Sequence, residues 1–300
     1  MPFWVIIVLG AHILNALSFL VNKFLLARAV SRPGAYAFYV GALGLIAFAL
    51  LPFDPALPSS AAAWAIDVAA GATFVLALLA FFTALKRGEA SRIIPYVGGT
   101  IPVWTLILAY LWLGERLASR ELIAFAILVI GSALVAREMK EGRTRTRGAY
   151  MYASLAALAF GVSSVLMKAA FLSQPFIAAF VWSRAGAVIA ALAILFHGVS
   201  RRAIFAREER PRGRRVLTLF FSGQIAGALG FLMLQYAISV ASPTLVNALQ
   251  GVQYAFLFLL IVILGRRYKQ LHENLSRAIV IQKLTAIAVI VIGLATLASG

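Results

Sequence analysis

Arg184 poses the hardest physical problem in this sequence. It stands ~9 residues into the apolar run Pro175–Phe196, which at a rise of about 1.5 Å per residue puts it near the middle of a bilayer-length helix. A charge at that depth is costly unless it is paired. Carboxylates are scarce inside the apolar runs: Asp67 lies about one turn into its run, and Glu115 and Glu121 lie at run ends. The guanidinium must therefore meet Asp67, backbone carbonyls or a bound anion, which its planar fork can hold by two parallel hydrogen bonds. A second group is the set of amides Asn247, Gln250 and Gln253, joined by Tyr254. Helical spacing puts Asn247, Gln250 and Tyr254 on one face, where they either bind the polar groups of a substrate or hold helices together.

A third group is the run from Ile93 to Arg116, in which Pro95, Gly98, Gly99 and Pro102 surround Thr100. Pro removes a backbone donor, and Gly is a poor helix former. An interrupted membrane helix persists where the freed backbone groups find partners, so Gly98, Gly99 and Thr100 are expected to line a substrate cavity. Smaller polar residues extend the candidate list. Asn15, Ser18 and Asn22 share a face of the first run, one turn beyond His12, and Ser163, Ser164 and Lys168 stand in the sixth. Lys23 and Lys168 close their runs, where a lysine can snorkel, and together with Glu115 they are candidate gate or entry residues. Asp67 and His12 are the titratable groups placed for proton coupling, and their scarcity gives weight to exchange or uniport.

Other chemistry is set aside. The chain has no cysteine, and His12, His197 and His272 are far apart, so no metal site or cofactor is expected. HExxH, GxSxG and a nucleotide-binding loop are missing, which argues against common hydrolases and against ATP-driven transport by this chain alone.

The elements that must position these residues follow from composition. Of 300 residues, 63% are hydrophobic and 12% charged, with a mean hydropathy of +0.95. That is the composition of an integral membrane protein. The net charge of +17 sits in short clusters between apolar runs, which reads as topology signal and anionic-lipid contact rather than nucleic-acid binding. Ten runs reach spanning length: Phe3–Ala27, Gly34–Phe53, Ala61–Leu85, Arg92–Leu113, Leu122–Ala136, Ala149–Phe171, Pro175–Phe196, Val216–Ser239, Pro243–Leu264 and Ile279–Ala298. Met1-Pro2-Phe3-Trp4 lacks a basic leader, so no cleavable signal peptide is expected. Lys and Arg crowd the connections after runs one, three, five, seven and nine, while the others carry Arg116 and Arg120. The positive-inside bias then puts the odd connections in the cytoplasm and both termini outside.

The chain also repeats. VIGSALVA at 129–136 answers VIGLATLA at 291–298, Leu113-Gly114 answers Leu264-Gly265, and Lys23 answers Lys168. Five helices per unit is an odd number, so the second unit is inverted, and the expected units are residues 1–140 and 148–300.

With these residues in view, the sequence resembles the drug/metabolite transporter superfamily, in its ten-helix EamA type. The residues carrying the likeness are Pro95, Pro102 and Leu113-Gly114-Glu115-Arg116-Leu117, then Gly131-Ser132-Ala133-Leu134-Val135, with Lys23, Lys168, Pro175 and Arg184. The resemblance implies an all-α membrane protein of two inverted five-helix repeats around a central cavity, moving metabolites by alternating access. Two features depart from it: Arg266 stands where the first repeat has Glu115, and the family template keeps both termini in the cytoplasm. The charges of this chain are followed here. The expected protein is a secondary transporter in the plasma (inner) membrane, monomeric or homodimeric, for a small polar or amphipathic metabolite such as an amino-acid-like molecule or organic anion. The rivals are a flippase for lipids or lipid-linked sugars, a membrane-embedded enzyme, and a scaffold.

Overall fold

A computed structural model describes residues 1–25, 33–88, 90–136, 147–205, 214–265 and 277–299, and every regular element among them is helical. In chain order these are α1 (Phe3–Leu25), α2 (Pro33–Ala42), a 3-10 continuation (Leu43–Phe53), α3 (Ala61–Arg87), α4 (Ala90–Leu113), α5 (Ser119–Ala136), α6 (Arg147–Ser173), α7 (Phe176–Ile194), α8 (Gly198–Phe205), α9 (Arg214–Val240), α10 (Pro243–Ala248), α11 (Gln250–Gly265) and α12 (Arg277–Ala298). By length and apolarity, 9 helical spans among the described residues can cross a membrane. The 18-residue α5 falls outside that set. Helices suit this setting because each backbone donor and acceptor is satisfied within its own segment.

The ends follow from local chemistry. The Ser60 hydroxyl accepts from the Ala63 N–H at 3.1 Å to open α3, and Ser242 does the same for Leu245 at 3.1 Å to open α10. Glu121 reaches back to the Ala118 N–H at 2.8 Å, one half of a capping box for α5. Gly114 ends α4 at φ +66°, a left-handed conformation that costs glycine nothing, and the Glu115 N–H turns back to the Ala109 carbonyl at 3.1 Å.

Two segments differ from the sequence expectation, and in opposite senses. The run with Pro95 and Pro102 is not interrupted: α4 is continuous. Pro102 deprives the Gly98 carbonyl of its usual donor, and the Thr105 hydroxyl bonds back to the Ile101 carbonyl at 2.9 Å beside it. The segment without a proline is the one that divides. At Leu249 the chain tightens, with the Leu249 N–H on the Val246 carbonyl at 3.3 Å and the Val252 N–H on the Leu249 carbonyl at 2.9 Å. Val252 thereby leaves the Ala248 carbonyl without its helical partner, and the Ser132 hydroxyl of α5 approaches it at 3.5 Å. Gly251 makes the approach possible, since a Cβ there would overlap the Ser132 hydroxyl. The partner that stabilises the division lies 116 residues away in sequence. Smaller differences are the 3-10 geometry of Leu43–Phe53, the start of α5 at Ser119, and the short α8 after the seventh run.

Packing runs along a few seams. α3 lies against α6 and α7, α1 against α9 and α11, α4 against α6, and α5 against α12. α2 packs on α3 and α7 but forms no comparable seam with α9. The α5–α12 contact is reciprocal. Gly131 is notched against Ile290 and Gly293 against Leu128, where a Cβ would come to 2.7 and 2.8 Å of the facing side chains. Arg120 Nε donates to the Thr296 carbonyl at 3.0 Å, and Gln282 Nε2 donates to the Leu134 carbonyl at 2.9 Å. In the register that aligns VIGSALVA with VIGLATLA, these are the same contacts made twice.

Candidate functional site

The setting of Arg184 starts with two glycines. A Cβ on Gly71 would overlap the Ser183 carbonyl, and one on Gly186 would overlap the Val68 backbone, so α3 and α7 touch main chain to main chain. Small residues let membrane helices approach this closely. The contact brings Phe74, one turn beyond Gly71, to the guanidinium carried by the residue after Ser183. Arg184 Cζ lies 5.2 Å from the Phe74 ring centre, 5.4 Å from Phe180 and 5.0 Å from Phe231 of α9. The rings also touch one another, Phe74 and Phe231 at 5.3 Å and Phe180 and Phe231 at 6.2 Å.

Arg184 is buried, at 6% exposure. Its only protein hydrogen bonds among the described residues run from Nε and Nη2 to the Ser183 hydroxyl, both at 3.4 Å. Among these residues Nη1 has none, and no described carboxylate pairs with the guanidinium. Asp67 is occupied elsewhere: fully buried, it accepts from Gln174 Nε2 at 3.1 Å on both oxygens. Three ring faces thus hold the cation by cation–π attraction without neutralising it.

A second cluster forms where α10 meets α11. Asn247 Nδ2 donates to the Thr105 hydroxyl of α4 at 3.0 Å and to the Ser164 hydroxyl of α6 at 3.1 Å. One turn on, Gln250 stands beside Tyr254, whose hydroxyl presses so closely on Gly98 that a Cβ there would overlap it. Gly99 faces open space. The Thr100 hydroxyl bonds back to the Tyr96 and Val97 carbonyls of its own helix. Asn247, Ser164, Gln250, Tyr254 and Gly98 are therefore drawn together, with Thr105 added, and among the described residues no hydrogen bond or ring contact joins Arg184 directly to them.

The other candidates lie in seams. Asn15 and Ser18 of α1 fit against Gly230 and Gly227 of α9. His12 is enclosed at 1% exposure, neither ring nitrogen has a hydrogen-bond partner, and Gln253 stands beside it. Lys168 Nζ donates to the carbonyls of Ile238 and Ser239 at 3.1 and 3.0 Å, closing the C-terminus of α9 as a cation should. Both Glu115 oxygens are buried and meet no donor at bonding geometry. Burial raises the carboxyl above its ordinary range, the Ser242 hydroxyl and Lys168 ammonium oppose this at longer range, and Glu121 adds to it. The side chains of Asn22 and Lys23 lie outside the described residues.

The residues that sequence reasoning missed are Phe74, Phe180, Phe231, Ser183, Thr105 and Gln174. Thr105 and Gln174 carried a usable signal, a polar side chain within or beside an apolar run. The phenylalanines carried none, being three of 21 in the chain.

Comparison with known proteins agrees with this architecture. The model of the EamA-like transporter family matches residues 2–137. A solved crystal structure of a protein superposes with a TM-score of 0.70 at 20% identity, covering 97% of this chain and 94% of the other. No curated protein matches in sequence. Spanning helices and the family match lead to one assignment: the chain is a multi-pass membrane protein whose residues 2–137 belong with the EamA-like transporters of the drug/metabolite transporter superfamily, and the superposition shows a shared fold along almost its whole length.

Proposed function

We propose that this chain is a secondary carrier for small organic anions, with Arg184 holding the negative charge of the substrate. The observation that carries this is the buried guanidinium with no counter-ion among the described residues. An ionisable residue at that depth marks a functional site by default, and an anion is the partner a guanidinium would take there. The Asn247–Ser164–Thr105 cluster and the Gln250–Tyr254 pair would serve the remaining polar groups of the substrate. Residues 1–140 and 148–300 are the two inverted units of this carrier, a relation supported by the doubled α5–α12 contacts. The partner that such symmetry requires for the α3–α7 seam is α2–α9, which among the described residues packs far less extensively. One end is then held more tightly than the other, as alternating access needs. Asp67 is held by Gln174 and His12 is enclosed, so exchange or uniport fits better than proton coupling.

The sparser α2–α9 packing among the described residues also favours a second reading, a flippase whose substrate enters sideways from the lipid. Transport into proteoliposomes separates the two, because a carrier moves water-soluble anions and a flippase does not. Arg184→Ala is expected to abolish anion uptake with the fold intact. Arg184→Lys keeps the charge but loses the planar fork, and uptake should fall about 10- to 100-fold, the worth of one charged hydrogen bond. Full uptake by the alanine variant would end the proposal.

A further inference from the structure

Resting on the anion-carrier reading above, we propose a narrower substrate class: an aromatic monoanion, a flat ring bearing one carboxylate and no ammonium group. The walls next to the guanidinium decide it. Three rings stand around Arg184 Cζ within 5.4 Å, and the aromatic surface continues outward from them. Phe160 meets Phe74 edge-on at 5.9 Å and 68°, and Phe176 lies against Phe180 at 6.0 Å. Phe74, Phe160, Phe176 and Phe231 are only half-buried, so ring edges and faces remain for a further ring to pack on. Aromatic rings prefer tilted or edge-to-face neighbours over aliphatic ones of the same bulk.

The charge count follows from what is missing around the box. The only polar side chain bonded to the guanidinium is Ser183, whose hydroxyl already donates to the Phe180 carbonyl at 2.7 Å. Among the described residues no second cation touches the box to hold a dianion. No carboxylate stands there for an ammonium, because Asp67 is closed off by Gln174. The ring faces that might hold an ammonium by cation–π attraction already face a guanidinium, which would repel it. One carboxylate can take the unbonded Nη1 edge of the fork, with its ring lying along the phenylalanines.

The test is binding of three probes to the purified full-length protein, by calorimetry and by thermal stabilisation. They are phenylacetate, cyclohexylacetate with the same charge and a puckered ring, and phenylalanine with the same ring and an added ammonium. Phenylacetate is expected to bind about tenfold more tightly than either of the others. In Phe231→Leu, or in Phe74→Leu should the first not fold, that preference over cyclohexylacetate should disappear while both anions still bind. Equal binding of phenylacetate and cyclohexylacetate, or of phenylalanine, would overturn the aromatic monoanion and leave the anion carrier standing. Failure of all three probes, with the protein folded, would overturn both.

Discussion

Glu115 is held where its charge is penalised. Burial raises its carboxyl above the ordinary range, and neither oxygen is hydrogen bonded. The folded state then binds the proton more readily than the unfolded chain does. Its contribution to stability is complete below the ordinary carboxylate range and is lost as pH rises through that range to the raised folded value. The melting temperature of the wild-type protein should fall over this interval, and Glu115→Gln should remove that part of the fall. An identical pH profile for the two proteins would show that Glu115 is not strained. At this same scale the sequence exposed some residues and hid others. Arg184 stood out because a charge inside an apolar run demands a partner, although the sequence left open whether that partner is Asp67, backbone carbonyls or a bound anion. The rings around it did not stand out, since a phenylalanine in a membrane helix is ordinary and only the fold selects Phe74, Phe180 and Phe231 from the rest.

Helix number and placement were legible from hydropathy, because spanning length is dictated by the bilayer. Helix continuity was not. Prolines and glycines in α4 suggested an interruption, yet α4 runs through, whereas the division at Leu249 depends on Ser132 from another helix. Local composition marks where a helix can break, and tertiary partners determine where it does. The α3–α7 seam gives a prediction at this scale. It joins backbone to backbone at Gly71 and Gly186, and Trp64 lies against Trp182 with ring centres 4.8 Å apart. If this seam is the closed end of a carrier, it must part in each cycle. The chain has no cysteine, so Trp64→Cys with Trp182→Cys can be bridged selectively by a reducible cross-linker. Bridging should stop transport, and reduction should restore it. Unchanged transport in the bridged protein would show that the seam is static.

For the whole molecule, the open question is which end faces the cytoplasm. The connections after α1, α3, α5, α7–α8 and α11 hold nearly all the Lys and Arg of the loops, much of it in segments outside the described residues. By the positive-inside bias a tag after Gly300 should be labelled from outside the cell, and one between residues 206 and 213 only after permeabilisation. The reverse pattern would turn the protein over and make its more tightly held end the inner one.

The doubled α5–α12 contact has a mechanical consequence. Arg120 fastens one extremity of the pair and Gln282 the other, while Gly131 and Gly293 key each rod into its neighbour at mid-height. Two rods locked at three levels can neither slide nor roll past each other. They form a fulcrum, and any rocking of the bundle must be taken up as leverage by the helices around it.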